Sequence, residues 1–336
     1  MRAKLPLTLF AALCGSFIFS FATLAGAETC TAASEMDAPT KSSIDSAARQ
    51  MFGQMQQGDV FSLKQNSIPS LASNFGSIEQ TVVNNKPRYA ASTMTMRNAY
   101  LLDAPGTAPV ARAEFLCGVW GQPDFTTFVL PNLPPGKYAV VISDLAGQSP
   151  STLSMILQQQ GAAWKLAGYY PQPPAVGGKD GNALLQQART YKSQGQAHNA
   201  WFYYLMAWER IAPLQFMYNK ALEATRQEIS QAQPADLPTA EKPIDFSADG
   251  KTYKITTLAP FADKDDLDLI LRYQVADVSN TMQIDKDNKA LVNAFLARYP
   301  EYKSAFNAIV ARAVAPNGQD FGTLISLKDD AGTAKK

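Results

Sequence analysis

The stretch WKLAGYYPQPP, residues 164–174, closes one part of the chain and opens another. Trp164, Leu166, Gly168 and Tyr170 alternate with Lys165, Ala167 and Tyr169, the period-two pattern of a strand with one face on a core. Pro171, Pro173 and Pro174 then remove three backbone donors within four positions, and AVGG follows at 175–178. A chain of 336 residues that stops so firmly near its midpoint is built from about two domains, as its length suggests.

Upstream, residues 88–102 are polar and strand-compatible, and 109–120 read as a strand through Ala113, Phe115 and Cys117. Residues 124–130, 136–143 and 151–160 follow as strands, parted by PNLPPG and LAGQSP. Ahead of them Ile44, Ala47, Ala48, Met51, Phe52 and Met55 recur at three- and four-residue spacing behind a capping Ser42 or Ser43. Gly58-Asp59 breaks that helix, and 60–65 and 68–75 read as shorter helical turns. Helices followed by strands in tight succession predict an α+β fold, with a curved antiparallel sheet wrapping one face around the N-terminal helices.

The segment QQQGAAWKLAGYY, residues 158–170, turns at Gly161 and resembles the last hairpin of the nuclear-transport-factor-2-like (cystatin-like cone) superfamily. The resemblance covers residues 36–172 and implies a cone-shaped sheet in which Gly168 permits bending or close backbone approach. That superfamily holds isomerases and dehydratases together with many catalytically silent binding and scaffolding domains. Its isomerases use a carboxylate base with Tyr or protonated Asp donors, and its dehydratases a His–Asp pair. No histidine lies between residues 28 and 172, and the acids Asp103 and Asp124 stand near prolines or in turns, as solvated loop acids do. The resemblance therefore implies a non-catalytic binding or scaffolding protein. The alternatives are an isomerase- or lyase-like enzyme using an Asp base and Tyr donors, and a purely structural envelope protein.

Past the proline stop, 175–180 read as a linker. Leu184, Ala188, Tyr191, Gly195, Ala200, Tyr204 and Ala207 then match the spacing of a tetratricopeptide repeat, with Pro213 one place late. Ala188 and Ala200 let two antiparallel helices approach, Tyr191 and Tyr204 fill the groove between them, and Gly195 turns the chain. The repeat is single, and 214–231 read as a capping helix, so the pair at 180–232 must pack on a neighbouring domain. The run WFYYLMAW, 201–208, reads chiefly as core, but its aromatics cannot all face one way. Trp201, Tyr204 and Trp208, with Trp164 and Tyr170, are therefore the candidate binding residues for a protein or peptide partner in the cell envelope or a small apolar ligand. His198 reads as a polar first-turn residue.

After a linker at 233–243, residues 244–246 and 253–258 form a hairpin about Ala248-Asp249-Gly250, 267–275 a strand and 288–299 a helix. Residues 306–314 and 321–327 form a second hairpin, completing a small α+β unit over 243–328 before a frayed tail at 329–336. DKDDLD (263–268) and DKDN (285–288) gather oxygen donors but lack the glycine and glutamate of a helix-loop-helix calcium site, so they read as solvated turns. No metal and no cofactor is expected. The chain carries no Gly-x-Ser-x-Gly elbow, no phosphate loop and no His-Glu-x-x-His.

Arg2 and Lys4 precede an apolar run over 5–24 that ends at Ala25-Gly26-Ala27, predicting a signal peptide over 1–27, cleaved after Ala27, and a periplasmic or secreted protein. The alternative is an uncleaved anchor; after cleavage no stable membrane span remains. Cleavage removes two bases and no acid from a near-neutral chain of 30 bases and 29 acids. That balance excludes nucleic acid, which needs a concentrated basic face. Cys30 and Cys117 remain in an oxidising compartment. They form a disulfide, or else Cys117 is buried and Cys30 idle; spacing alone leaves both open.

Overall fold

The computed structural model describes residues 27–263 and 265–328; the expected signal segment, apart from Ala27, and the expected tail lie outside the described residues. The fold is α+β. β1 (Thr29–Ala32) is followed by α1 (Ala38–Gln57), α2 (Val60–Gln65), α3 (Pro69–Ala72) and α4 (Gly76–Ala90). Six strands come next: β2 (Thr93–Ala104), β3 (Val110–Cys117), β4 (Thr126–Leu133), β5 (Gly136–Ala146), β6 (Ser151–Gln160) and β7 (Ala163–Pro171).

α1 begins earlier than expected. Its cap is Asp37, whose carboxylate accepts the Thr40 N–H at 2.8 Å, rather than Ser42 or Ser43, and Gly58 ends it with φ of 70°. α4 overturns the expectation that the strand begins at residue 88. Its sequence, GSIEQTVVNNKPRYA, carries Pro87 and two asparagines, so intrinsic propensity argues against it. Burial of Val82 and Tyr89 against the other helices and the sheet supplies what propensity lacks.

The strands do not form the single wrapped sheet expected. β1-β2-β5-β6-β7 make one five-stranded antiparallel sheet, while β3 and β4 leave it to form a second with the short β8 (Met217–Asn219). Ile44, Met51, Phe52 and Met55 of α1 pack with Val141, Met155 and Leu166 on one face of the first sheet. Tyr100, Val140 and Ile142 on its other face pack against Phe115, Phe128 and Leu130 of the second sheet. The molecule is here three layers deep, and β5 is buried at six successive residues from Tyr138 to Ser143.

In the opening stretch, Trp164 is buried and donates its Nε1–H to Ser43 Oγ at 3.1 Å, tying β7 to α1. The ladder slips by one residue at Ala167, between the Gly168↔Ile156 and Leu166↔Leu157 pairs. A Cβ on Gly168 would lie 2.7 Å from the Tyr170 ring, so the glycine serves close approach.

α5 (Gly181–Ser193) and α6 (Ala197–Ile211) form the expected antiparallel pair, with Ala188, Ala200, Tyr191 and Tyr204 buried and Gly195 turning at φ of 75°. The expected helix over 214–231 is instead a loop, β8, and α7 (Lys220–Ala232), capped by Asn219 Oδ1 accepting from Leu222 N–H. Leu214, Met217 and Leu222 are anchored in the core between the two sheets, and that long-range burial outweighs local helix tendency.

The C-terminal unit comprises β9 (Ile244–Ala248), β10 (Lys251–Asp263), β11 (Asp266–Gln274), α8 (Thr281–Arg298), α9 (Tyr302–Ala305), β12 (Ala308–Val314) and β13 (Asp320–Ser326). Its sheet runs β13-β12-β11-β10-β9, with β11 and β12 parallel across α8. The helical pair shares its core: Tyr203 O–H donates to Ala305 C=O at 2.6 Å and Asn199 Nδ2 to Glu301 C=O at 3.1 Å. α8 starts before DKDN, so those residues lie on a helix and not in a turn. Asp285 pairs with Lys289, Asp287 pairs with Lys251, and buried Asn288 accepts from Tyr273 O–H at 2.8 Å.

Candidate functional site

Residues 118–125, GVWGQPDF, join β3 to β4. The base of this loop is pinned by the Cys30–Cys117 disulfide, Cα atoms 5.0 Å apart, which ties β1 at the edge of the first sheet to the end of β3. Gln122 N–H donates to Val119 C=O at 3.1 Å, closing a turn with Trp120 at its corner and Gly121 at φ of 84°. A side chain at such a corner has no neighbours on its outer side. Trp120 is 80% exposed, the largest exposure of any large apolar side chain among the described residues. Its inner edge meets Phe125 edge-to-face at 4.9 Å.

Beside the loop lies the outer face of the second sheet. Leu116, Thr127 and Tyr218 stand in register across β3, β4 and β8, and Leu116 and Tyr218 are exposed. Tyr218 is held from behind: the Arg226 guanidinium of α7 lies 4.6 Å from its ring centre and 5.0 Å from that of Trp208. Glu223 holds Arg226 at 2.6 Å. This aromatic–guanidinium–aromatic stack fixes the Tyr218 ring before anything binds, through cation–π attraction on one face. Between Trp120 and Tyr218 runs a groove of ≈ 380 Å³, with Gln122, Lys220 and Glu223 on its rim.

The arrangement offers flat apolar rings and a rim of hydrogen-bonding and charged groups. Among the described residues no group of three or more His, Cys, Asp or Glu side chains gathers into a metal-ligand set.

Of the residues proposed from sequence, Trp208 and Tyr170 stand nearest this site. Trp208 forms one wall of the Arg226 stack, and Tyr170 meets Phe216, two residues before Tyr218, at 5.6 Å. Trp201 is half-buried against the core of the C-terminal unit. Trp164 and Tyr204 are buried and present no surface. Tyr204 instead donates its O–H to Glu228 Oε1 at 2.5 Å, and Arg189 grips the same carboxylate at 2.8 Å. The Arg189 hydrogen bond holds the Glu228 carboxyl below its ordinary pKa. His198 is bonded to Asp236 at 2.9 Å. In the sequence Trp120 reads only as the end of a strand. The signal that singles it out is the glycine pair flanking Val119-Trp120 and the Pro-Asp that follows, which is turn chemistry around an aromatic.

The acids considered for catalysis are placed otherwise. Asp103 lies on β2 with Lys137 at 3.9 Å, and Asp124 is exposed in the loop. The core between the helices and the first sheet holds no buried carboxylate among the described residues. It holds the phenols of Tyr89 and Tyr169, hydrogen-bonded to one another, with burial raising the pKa of both. No described helix is long and apolar enough to cross a membrane. Comparison with protein-family models, with curated proteins and with solved structures finds no match to this chain.

Proposed function

We propose that this is an exported, non-catalytic binding protein that seats an apolar or aromatic anchor of a partner protein in the groove between Trp120 and Tyr218. The observation that carries the reading is Trp120: a fold that buries its other tryptophans at least in part spends a disulfide-based loop and a left-handed glycine on holding this one in solvent. Contiguous exposed apolar surface with a polar rim marks interaction sites, and Trp, Tyr and Arg are the residues that dominate binding energy at protein interfaces. Covering an exposed tryptophan stabilises a complex by on the order of 3 kcal/mol at about 25 cal/mol per Å² of apolar area. The disulfide fits a secreted or periplasmic protein. The helix-on-sheet layer that ends at β7 supports grouping residues 36–172 with the nuclear-transport-factor-2-like superfamily, many of whose members bind without catalysis.

The test is site-specific photo-cross-linking of the intact protein in its own envelope, with the probe at position 120 and, as control, at Met282, which is 79% exposed on α8. A discrete adduct from position 120 that vanishes in Tyr218→Ala and is absent from position 282 supports the reading. Identical patterns from both positions, or no adduct from position 120, overturn it.

A further inference from the structure

The proline-rich stretch that ends the first sandwich passes over a second cavity, remote in role from the aromatic groove. It measures ≈ 490 Å³ and lies where the β5–β6 hairpin meets the start of α5 and the end of α6, within the size range of small-molecule sites. Arg97 and Asp144 line one side and Asp180, Asn182 and Arg210 the other, with Thr152 between.

Arg210 is the informative residue. Its side chain is only 4% exposed. Nε–H donates to Pro174 C=O at 2.7 Å and Nη1–H to Met206 C=O at 2.9 Å, and Glu209, itself 58% exposed, lies 3.7 Å from Nη1. No acceptor lies on Nη2 among the described residues, Nη2 is not among the fully buried unpaired atoms, and Arg210 is one of the residues that line the cavity. Guanidiniums favour bidentate or fork-like pairing with planar oxyanions. Burial lowers the pKa of Arg210, and the nearby Glu209 carboxylate acts in the opposite direction.

The packing around Arg210 is specific. A Cβ on Gly181, the first residue of α5, would lie 2.7 Å from Ile211 and 3.0 Å from Arg210 Cβ, so the helix start is pressed against Arg210 by the absence of a side chain. The opposite charge is present as well. Asp144 pairs with Arg97 at 2.9 Å while half-exposed, and the Asp180 carboxylate caps α5 through Ala183 N–H at 2.8 Å. A simple anion would meet Asp144 and Asp180, and a simple cation would meet Arg97 and Arg210. A molecule bearing both signs meets an opposite charge on each side.

We infer that this cavity binds a small zwitterion of amino-acid or short-peptide type, its carboxylate on Nη2 of Arg210 and its ammonium toward Asp144. The site does not rest on the aromatic groove, and either can fail alone.

Calorimetric titration of the intact protein with the free amino acids and with Gly-Gly and Ala-Ala tests it, using acetate, methylamine and the N-acetylated and amidated forms as arms. The expected result is saturable binding of at least one zwitterion, weakened about tenfold or more by blocking either end, the loss expected for one charge-assisted hydrogen bond. Asp144→Asn reproduces the loss for the ammonium and Arg210→Gln for the carboxylate. Because Arg210 also ties two main-chain carbonyls, Arg97→Gln and Asp144→Asn, both half-exposed, keep the test independent of folding. No binding by any zwitterion, binding of acetate as tight as that of the free amino acid, or affinity unchanged in both Asp144→Asn and Arg97→Gln overturns the inference.

Discussion

The two five-stranded sheets of this molecule are treated in opposite ways. In the first, β5 lies between helices and a second sheet, and YAVVIS, residues 138–143, is buried on both faces. In the C-terminal sheet, β12 alternates: Ile309, Ala311 and Ala313 face α8 and the helical pair, while Val310 and Arg312 are only partly covered. Across that second face Ile270, Val310 and Leu324 stand in register, and Leu324 is 62% exposed. An apolar run without alternation thus marks a strand covered twice, and alternation marks one covered once.

A charge placed in each sheet tests this contrast most severely. Val141→Asp puts a carboxylate into the layer beneath α1 and should cost more than about 4 kcal/mol, enough to prevent folding of many domains. Val310→Asp should cost about 1 kcal/mol, because water reaches that face. Urea denaturation of both variants measures the difference, and equal losses would break the comparison.

The disulfide belongs to the doubly covered region, tying the first sheet to the second across 87 residues of sequence. Cys30→Ser should lower stability by about 4.6 kcal/mol in the chain-entropy account for a loop of this length. Unfolding transitions with and without reductant should shift in the wild type and not in the variant.

The seam between the two regions is held by polar groups. Glu228 joins α5 and α6 to α7 through Arg189 and Tyr204. Its pKa is lowered by that hydrogen bonding, so the stability it contributes is present above the ordinary glutamate value of 4.5 and is lost as pH falls through the lowered one. Glu228→Gln should therefore flatten the acid limb of a stability–pH profile, by about 1 kcal/mol at neutral pH.

The smallest effect on stability belongs to the residue with the largest proposed role. Trp120→Ala should leave the unfolding free energy from urea titration within about 0.5 kcal/mol of the wild type, since the side chain is mostly in water. The same variant should lose the cross-linked partner. A large loss of stability would make Trp120 a structural residue and sink the binding proposal.

Much of this was legible in the chain. The strands at 136–143, 151–160 and 164–170, the helical pair around Gly195 and the C-terminal hairpins all follow from periodicity and turn residues. So do the fold class and the stop at Pro171–Pro174. α4 was missed because Pro87 and two asparagines lower its local propensity, while what stabilises it is contact with α1 and the sheet. Of the aromatics near the site, Trp208 and Tyr170 stand among five that the sequence puts forward alike, and Trp164 and Tyr204 of the same five are buried. Trp120 and Arg226 were not legible, because one depends on a turn corner and the other on two rings distant in sequence.

By itself the sequence determined where the chain can be helical or extended and where it must turn, because those preferences are set by neighbours within a few residues. Tertiary structure alone decided that β3 and β4 leave the first sheet and that three residues after α6 return to pair with β4. It also decided that Cys30 meets Cys117 and that Arg226 lies between Trp208 and Tyr218. Each of these joins residues far apart along the chain, where burial and pairing, rather than local preference, carry the free energy.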